Sequence, residues 1–109
     1  QQAYLINKKT KPMKKTNPTI SYDEFYNLVK PITQFKSVKG NAYSVISVED
    51  SIITFLREST QKRWKMNLKD VHKAYLEITD FKTIHFKPYL PRTQSPALGL
   101  LIKMGLIEN

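Results

Sequence analysis

The segment from Val48 to Leu56 constrains this chain more than any other, because it reads as the most hydrophobic amphipathic segment available to build a core. Val48, Ile52, Ile53, Phe55 and Leu56 recur at the spacing that gathers side chains on one face of a helix. Ser47 precedes the run, and Glu49 and Asp50 fall in its first turn, opposite the positive end of a helix dipole. The spacing predicts an amphipathic helix through about Glu58, at the centre of the core. A chain of 109 residues has room for one modest core. With no cysteine, disulfides and sulfur-ligated zinc are excluded, so packing must supply the stability.

Other elements are punctuated more clearly. Ser21-Tyr22-Asp23-Glu24 has the form of a capping box, Ile20 and Phe25 stand at staple positions and Pro31 stops the run, which predicts a helix from about Tyr22 to Val29. Gln34 to Tyr43, with Gly40-Asn41, reads as a loop with short extended pieces. A third helix starts at Asn67, with Asp70 at the capping-box position; Leu68, Val71, Tyr75 and Ile78 form its inner stripe, and Lys69 and Lys73 turn to solvent. Phe81 to Leu90 is ambiguous between an alternating strand and a short helix from Asp80 to Phe86. Ser95-Pro96 marks the start of a last helix, and Gly105-Leu106 its left-handed cap, with Ile107 extended beyond. The expected fold class is mainly α: a small bundle of about four helices, with a winged-helix-like form carrying minor β as its variant.

The charge falls into separable regions. Residues 1–18 hold Lys8, Lys9, Lys11, Lys14 and Lys15 and no acid, so they carry +5 of the net +9. Asn7 to Pro18 shows neither helical nor strand periodicity, and residues 1–18 are expected to form a flexible basic arm ahead of one compact helical domain, 19–109. Tyr4, Leu5 and Ile6 form a candidate short strand. The arm suits contacts with phosphates, or serves as a solubilising linker. A second cluster, Lys62, Arg63, Lys65, Lys69 and Lys73, surrounds the sole tryptophan, Trp64. Bases beside an aromatic suit phosphate contact with stacking; the alternative places Trp64 in the core at a helix junction, with a solvated charge rim. A third group, Arg92, Thr93, Gln94 and Ser95, gathers at the positive end of the last helix, where backbone N–H groups can meet phosphate, or where ordinary capping accounts for them.

Catalytic constellations do not emerge. His72 and His85 are thirteen residues apart, without metal-ligand spacing or companion carboxylates. No nucleophile elbow or phosphate-cradling Gly-Lys-Ser loop occurs, and Asp23-Glu24 and Glu49-Asp50 are explained by capping. No catalytic residue, cofactor or metal is expected. No apolar run approaches the roughly 20 residues that span a bilayer, so no membrane partner is expected. The lack of cysteine fits an intracellular setting, in cytoplasm or nucleus, and Gln1 in place of Met fits a processed chain or a fragment.

From about residue 45 to 109, the order of an amphipathic helix, a second with Val71, Tyr75 and Leu76, a connector, and a capped helix ending Leu101-Ile102-Lys103-Met104-Gly105-Leu106-Ile107 resembles winged-helix and helix-turn-helix DNA-binding domains. The resemblance implies that the last helix approaches the major groove with Arg92, Thr93, Gln94 and Ser95 nearest the DNA and Lys103 near the backbone. The helix itself, Ala97 to Ile102, carries hardly any side chain able to read a base edge, which favours phosphate-directed contact. The expected function is a non-enzymatic nucleic-acid-binding module, with DNA preferred to RNA. The alternative is a protein-interaction or scaffold domain that docks other domains of a parent protein through the Leu98 to Ile107 face or through Tyr22, Tyr26, Tyr43 and Tyr89.

Overall fold

The segment expected to be the central helix is a β-hairpin. The computed structural model describes residues 13–108, and in it Val48 and Glu49 end one strand while Ile52 to Arg57 form the next, with Val45 opposite Phe55 and Val48 opposite Ile53. Asp50 and Ser51 form the two-residue turn, both at positive φ (50° and 67°), the handedness that matches the twist of the flanking strands. Six β-branched residues between Val45 and Thr54 suit a pleated surface and lose rotamer freedom in a helix. Ser51 is held at both ends: its hydroxyl accepts from Tyr22 Oη at 2.8 Å, and its carbonyl accepts from Leu68 N at 2.7 Å.

In chain order the elements are β1 (Lys14–Lys15), α1 (Tyr22–Val29), β2 (Gln34–Lys36), β3 (Ala42–Glu49), β4 (Ile52–Arg57), β5 (Lys62–Asn67), α2 (Leu68–Glu77), a short 3-10 turn (Thr83–Phe86), α3 (Gln94–Lys103) and β6 (Ile107–Glu108). Strands β2 to β5 form an antiparallel meander in sequence order, and β1 pairs with β6 in a separate two-stranded sheet. The fold is therefore mixed α and β, which corrects the expectation of a mainly-α bundle of about four helices and of its winged-helix-like variant. It also removes the first helix from the order on which the resemblance to helix-turn-helix domains rested. Among the described residues no helix is long and apolar enough to cross a membrane.

The other helices form where the punctuation placed them, for the reasons it implied. Ser21 Oγ accepts from Glu24 N at 3.2 Å at the start of α1, and Asn67 Oδ1 accepts from Lys69 N at 2.8 Å at the start of α2. Leu68, Val71, Tyr75 and Ile78 are all buried. The last helix starts two residues earlier than Ser95-Pro96 predicts, with Thr93 as its N-cap, and Pro96 falls within the first turn, where a missing N–H costs nothing. Gly105, at φ 78°, reverses the chain after α3 and sends Leu106 and Ile107 into the core.

One face of the meander packs on the helices. Phe35, Tyr43, Ile53, Phe55 and Met66 join Phe25 and Val29 of α1, Val71 and Tyr75 of α2, and Leu98 and Leu101 of α3 in a single core. Phe35, Tyr43 and Phe55 form its aromatic centre, with ring centroids 5.1–5.5 Å apart. The β1–β6 pair is fastened to this core by Tyr75, whose buried hydroxyl donates to the Leu106 carbonyl at 2.9 Å and accepts from Asn17 N at 3.2 Å. Lys14 to Asn17, expected within a flexible arm, are thus docked; the candidate strand at Tyr4 to Ile6 lies outside the described residues.

The backbones of α3 and β2 approach each other closely at Gly99. A Cβ on Gly99 would stand 2.2 Å from the Lys36 carbonyl oxygen and 2.9 Å from its carbon. Backbone cannot rotate aside as a side chain can, so only glycine allows this approach. Gly99→Ala should lower the unfolding free energy by about 3 kcal/mol, the upper range for overpacking. Urea denaturation measures this directly, and an unchanged midpoint would contradict the contact.

Candidate functional site

Strand β5 sorts the basic cluster around Trp64 by its period of two. Lys62, Trp64 and Met66 point toward the helix-covered side of the sheet, whereas Arg63 and Lys65 stand on the opposite face, paired with Leu56 and Thr54. The run Lys62–Lys65 is therefore two surfaces. Lys69 and Lys73 are exposed on α2, beyond the Asn67 end of β5, and the structure does not bring them to Trp64.

What Trp64 meets instead is the start of α3. Trp64, Tyr43 of β3 and Arg57 of β4 form the floor and wall of a cavity of about 280 Å³, closed by Lys39 and Asn41 of the β2–β3 turn and by Arg92, Gln94, Ser95 and Pro96. Two sequence-distant groups, Trp64 and Arg92-Gln94-Ser95, thus converge on one site. Thr93 does not join them: it is buried at the N-cap, where its carbonyl accepts from Ala97 N at 2.9 Å and its side chain makes no capping bond. The N–H groups of Gln94 and Ser95 lie in the first turn of α3, where no intrahelical acceptor exists, and Pro96 has none to offer.

Three cations, Lys39, Arg57 and Arg92, line the cavity and no carboxylate does. The nearest acid in sequence, Glu58, is bound to the Ser44 hydroxyl on the far side of the sheet. Arg57 is also directly opposite Lys62 across the β4–β5 ladder, a juxtaposition of like charges that destabilises a sheet. Its Nε is buried and has no hydrogen-bond partner among the described residues. Buried polar atoms of native proteins nearly always have a partner, so Arg57 Nε stands out as one that the described protein atoms leave unsatisfied, in a residue that lines a cavity without carboxylates. Sequence reasoning missed Lys39, Asn41, Tyr43 and Arg57. The signal for Arg57 was available in principle, since a strand assignment for 52–57 and 62–67 would have placed it across from Lys62.

The remaining expected residues have other roles or lie elsewhere. Lys15 Nζ donates to the Leu76 carbonyl at the C-terminal end of α2, at 2.9 Å, and sits 5.6 Å and 5.8 Å from the centroids of the Tyr75 and Phe81 rings. Desolvation in this position pushes its ammonium below the usual lysine range. It acts as a helix-terminal cap. Lys14 is exposed beside it, while Lys8, Lys9 and Lys11 lie outside the described residues. His72 donates through Nε2 to the Ile20 carbonyl at 2.8 Å, and His85 through Nδ1 to the Asp80 carbonyl at 2.7 Å.

Surfaces needed for the protein-docking alternative are largely internal or engaged. Leu98, Leu100, Leu101, Leu106 and Ile107 are buried, as is Tyr43. Tyr22 is committed to Ser51 and Tyr89 to the Glu77 carboxylate, at 2.8 Å each. Ala97 to Leu101 of α3 are likewise buried. No protein-family model, curated protein or solved structure matches this chain.

An unpaired guanidinium N–H and a facing ammonium are both unfavourable to the folded protein. Arg57→Met keeps the side chain's length and removes both penalties, so it should stabilise the protein by about 1 kcal/mol at low ionic strength. Thermal or urea unfolding decides this. A variant that unfolds more easily than the parent would mean that Arg57 already has its partner.

Proposed function

We propose that this protein is a non-enzymatic nucleic-acid-binding module that holds DNA chiefly through its phosphates. The observation that carries the reading is the convergence of Lys39, Arg57 and Arg92 on one acid-free cavity beside Trp64, at the open end of α3. Guanidinium forks match phosphate geometry, and helix-terminal N–H groups favour negative charge. The net charge of +9 adds an attraction toward polyanions that acts before contact. Such a module acts where nucleic acid is, in an intracellular setting.

Phosphate binding of this kind releases counterions, so affinity falls with salt at about 0.9 log units per log unit for each duplex phosphate engaged, and about 0.7 for a single strand. Anisotropy titrations of a labelled DNA oligonucleotide between about 50 and 200 mM salt should show this slope. Arg57→Met combined with Arg92→Met should lower affinity at least tenfold and reduce the slope by one to two of these contact increments. Lys15→Met, which removes a helix cap, should leave both unchanged. Affinity independent of salt, or a double variant that binds as well as the parent, would refute the assignment.

A further inference from the structure

The cavity's shape and its aromatic wall narrow the form of nucleic acid it fits. We infer that it takes one unpaired nucleotide, with the base against Trp64 and the phosphate between Arg57 and Arg92 at the N-terminus of α3, so that the protein engages single-stranded DNA or a strand end in preference to duplex. This rests on the nucleic-acid reading above and adds the ligand's form to it.

Four observations support the inference together. The volume, about 280 Å³, lies at the small end for ligand pockets and admits one unit of a strand, not a segment of double helix. Trp64 is half-buried at the cavity wall. An aromatic face in a concavity can stack only on a base whose own faces are free, which a base within a duplex lacks. Arg57 belongs to the cross-strand row next to that of Trp64 on the same face, the Arg57–Lys62 and Phe55–Trp64 pairs being two positions, about 7 Å, apart along the β4–β5 ladder. That is the short separation a single nucleotide presents between base and phosphate. The amides of Asn41 and Gln94 complete the lining with donors and acceptors that suit the exposed edge of an unpaired base.

The opposite face of the sheet supplies the contrast. Arg63 and Lys65 stand there among Thr54 and Leu56, where the edge strand separates them from the cavity. A rigid duplex laid on either surface would leave the other unused. A flexible strand can enter the cavity and pass around the β5 edge.

Trp64 is the sole tryptophan, so its fluorescence reports on this site alone. The wild-type protein is titrated at low salt with a short oligothymidylate, an abasic deoxyribose-phosphate strand of the same length and a blunt hairpin duplex of matched phosphate number. The expected result is quenching by oligothymidylate, with affinity about tenfold or more above that for the abasic strand, the range set by one base–aromatic stack. The duplex should bind more weakly than oligothymidylate. Trp64→Leu, followed by anisotropy, should bring oligothymidylate down to the abasic level, and Trp64→Phe should restore part of the difference. Equal affinity for all three probes would overturn the nucleotide subsite while leaving phosphate-directed binding intact. No binding to any of them would overturn both.

Discussion

Contact between the backbone of α3 and that of β2 at Gly99 sets the geometry of everything that follows. Because a Cβ there would overlap the Lys36 carbonyl, the helix can lie this close to the sheet only through a residue without one. Five residues upstream, about 7–8 Å along the helix axis, the same helix presents Gln94 and Ser95 with Arg92 ahead of them. Holding α3 against β2 brings its open N-terminus to the end of the sheet where Arg57 and Trp64 point. The cavity is a consequence of that docking, since neither the sheet nor the helix forms it alone.

The sheet contributes a second constraint, the alternation of side chains along β4 and β5. Alternation divides one basic run between two faces, and it sets Arg57 against Lys62 across the ladder. A structure selected only for stability would avoid both that pairing and a buried guanidinium N–H without an acceptor. Local departures of this kind concentrate where a ligand completes the interactions. The acid-free lining and the first-turn N–H groups of α3 give this cavity a positive character, which is what the proposed phosphate contact would use.

Lys15, by contrast, is at work inside the protein. Lys15 closes the C-terminal end of α2 through the Leu76 carbonyl and lies over two aromatic rings, tying β1 to the helical layer along with the Tyr75 hydroxyl. A basic residue near a chain end is thus not automatically part of an electrostatic arm. Its role depends on whether folding offers it a carbonyl and a desolvated place to sit.

Helices α1 and α2 were legible from the sequence because caps and amphipathic stripes act over three or four residues. Ser21 with Glu24, Asn67 with Lys69, and Gly105 with its left-handed turn are local bonds that any reader of the chain can place. The central hairpin was not legible, because Val48, Ile52, Ile53, Phe55 and Leu56 satisfy helical spacing as well as they satisfy two strands. The choice was made by pairing with β2 and β5, and by a turn at Asp50-Ser51 that lacks the usual glycine. Of the site, the sequence located Trp64, Arg92, Gln94 and Ser95 in separate groups with no means of joining them. Arg57, Lys39 and Tyr43 acquired their place only when the sheet and α3 met. The sequence by itself determined the basic character and the local helix signals; the tertiary structure decided which cations share a surface, because that depends on contacts between residues far apart in the chain.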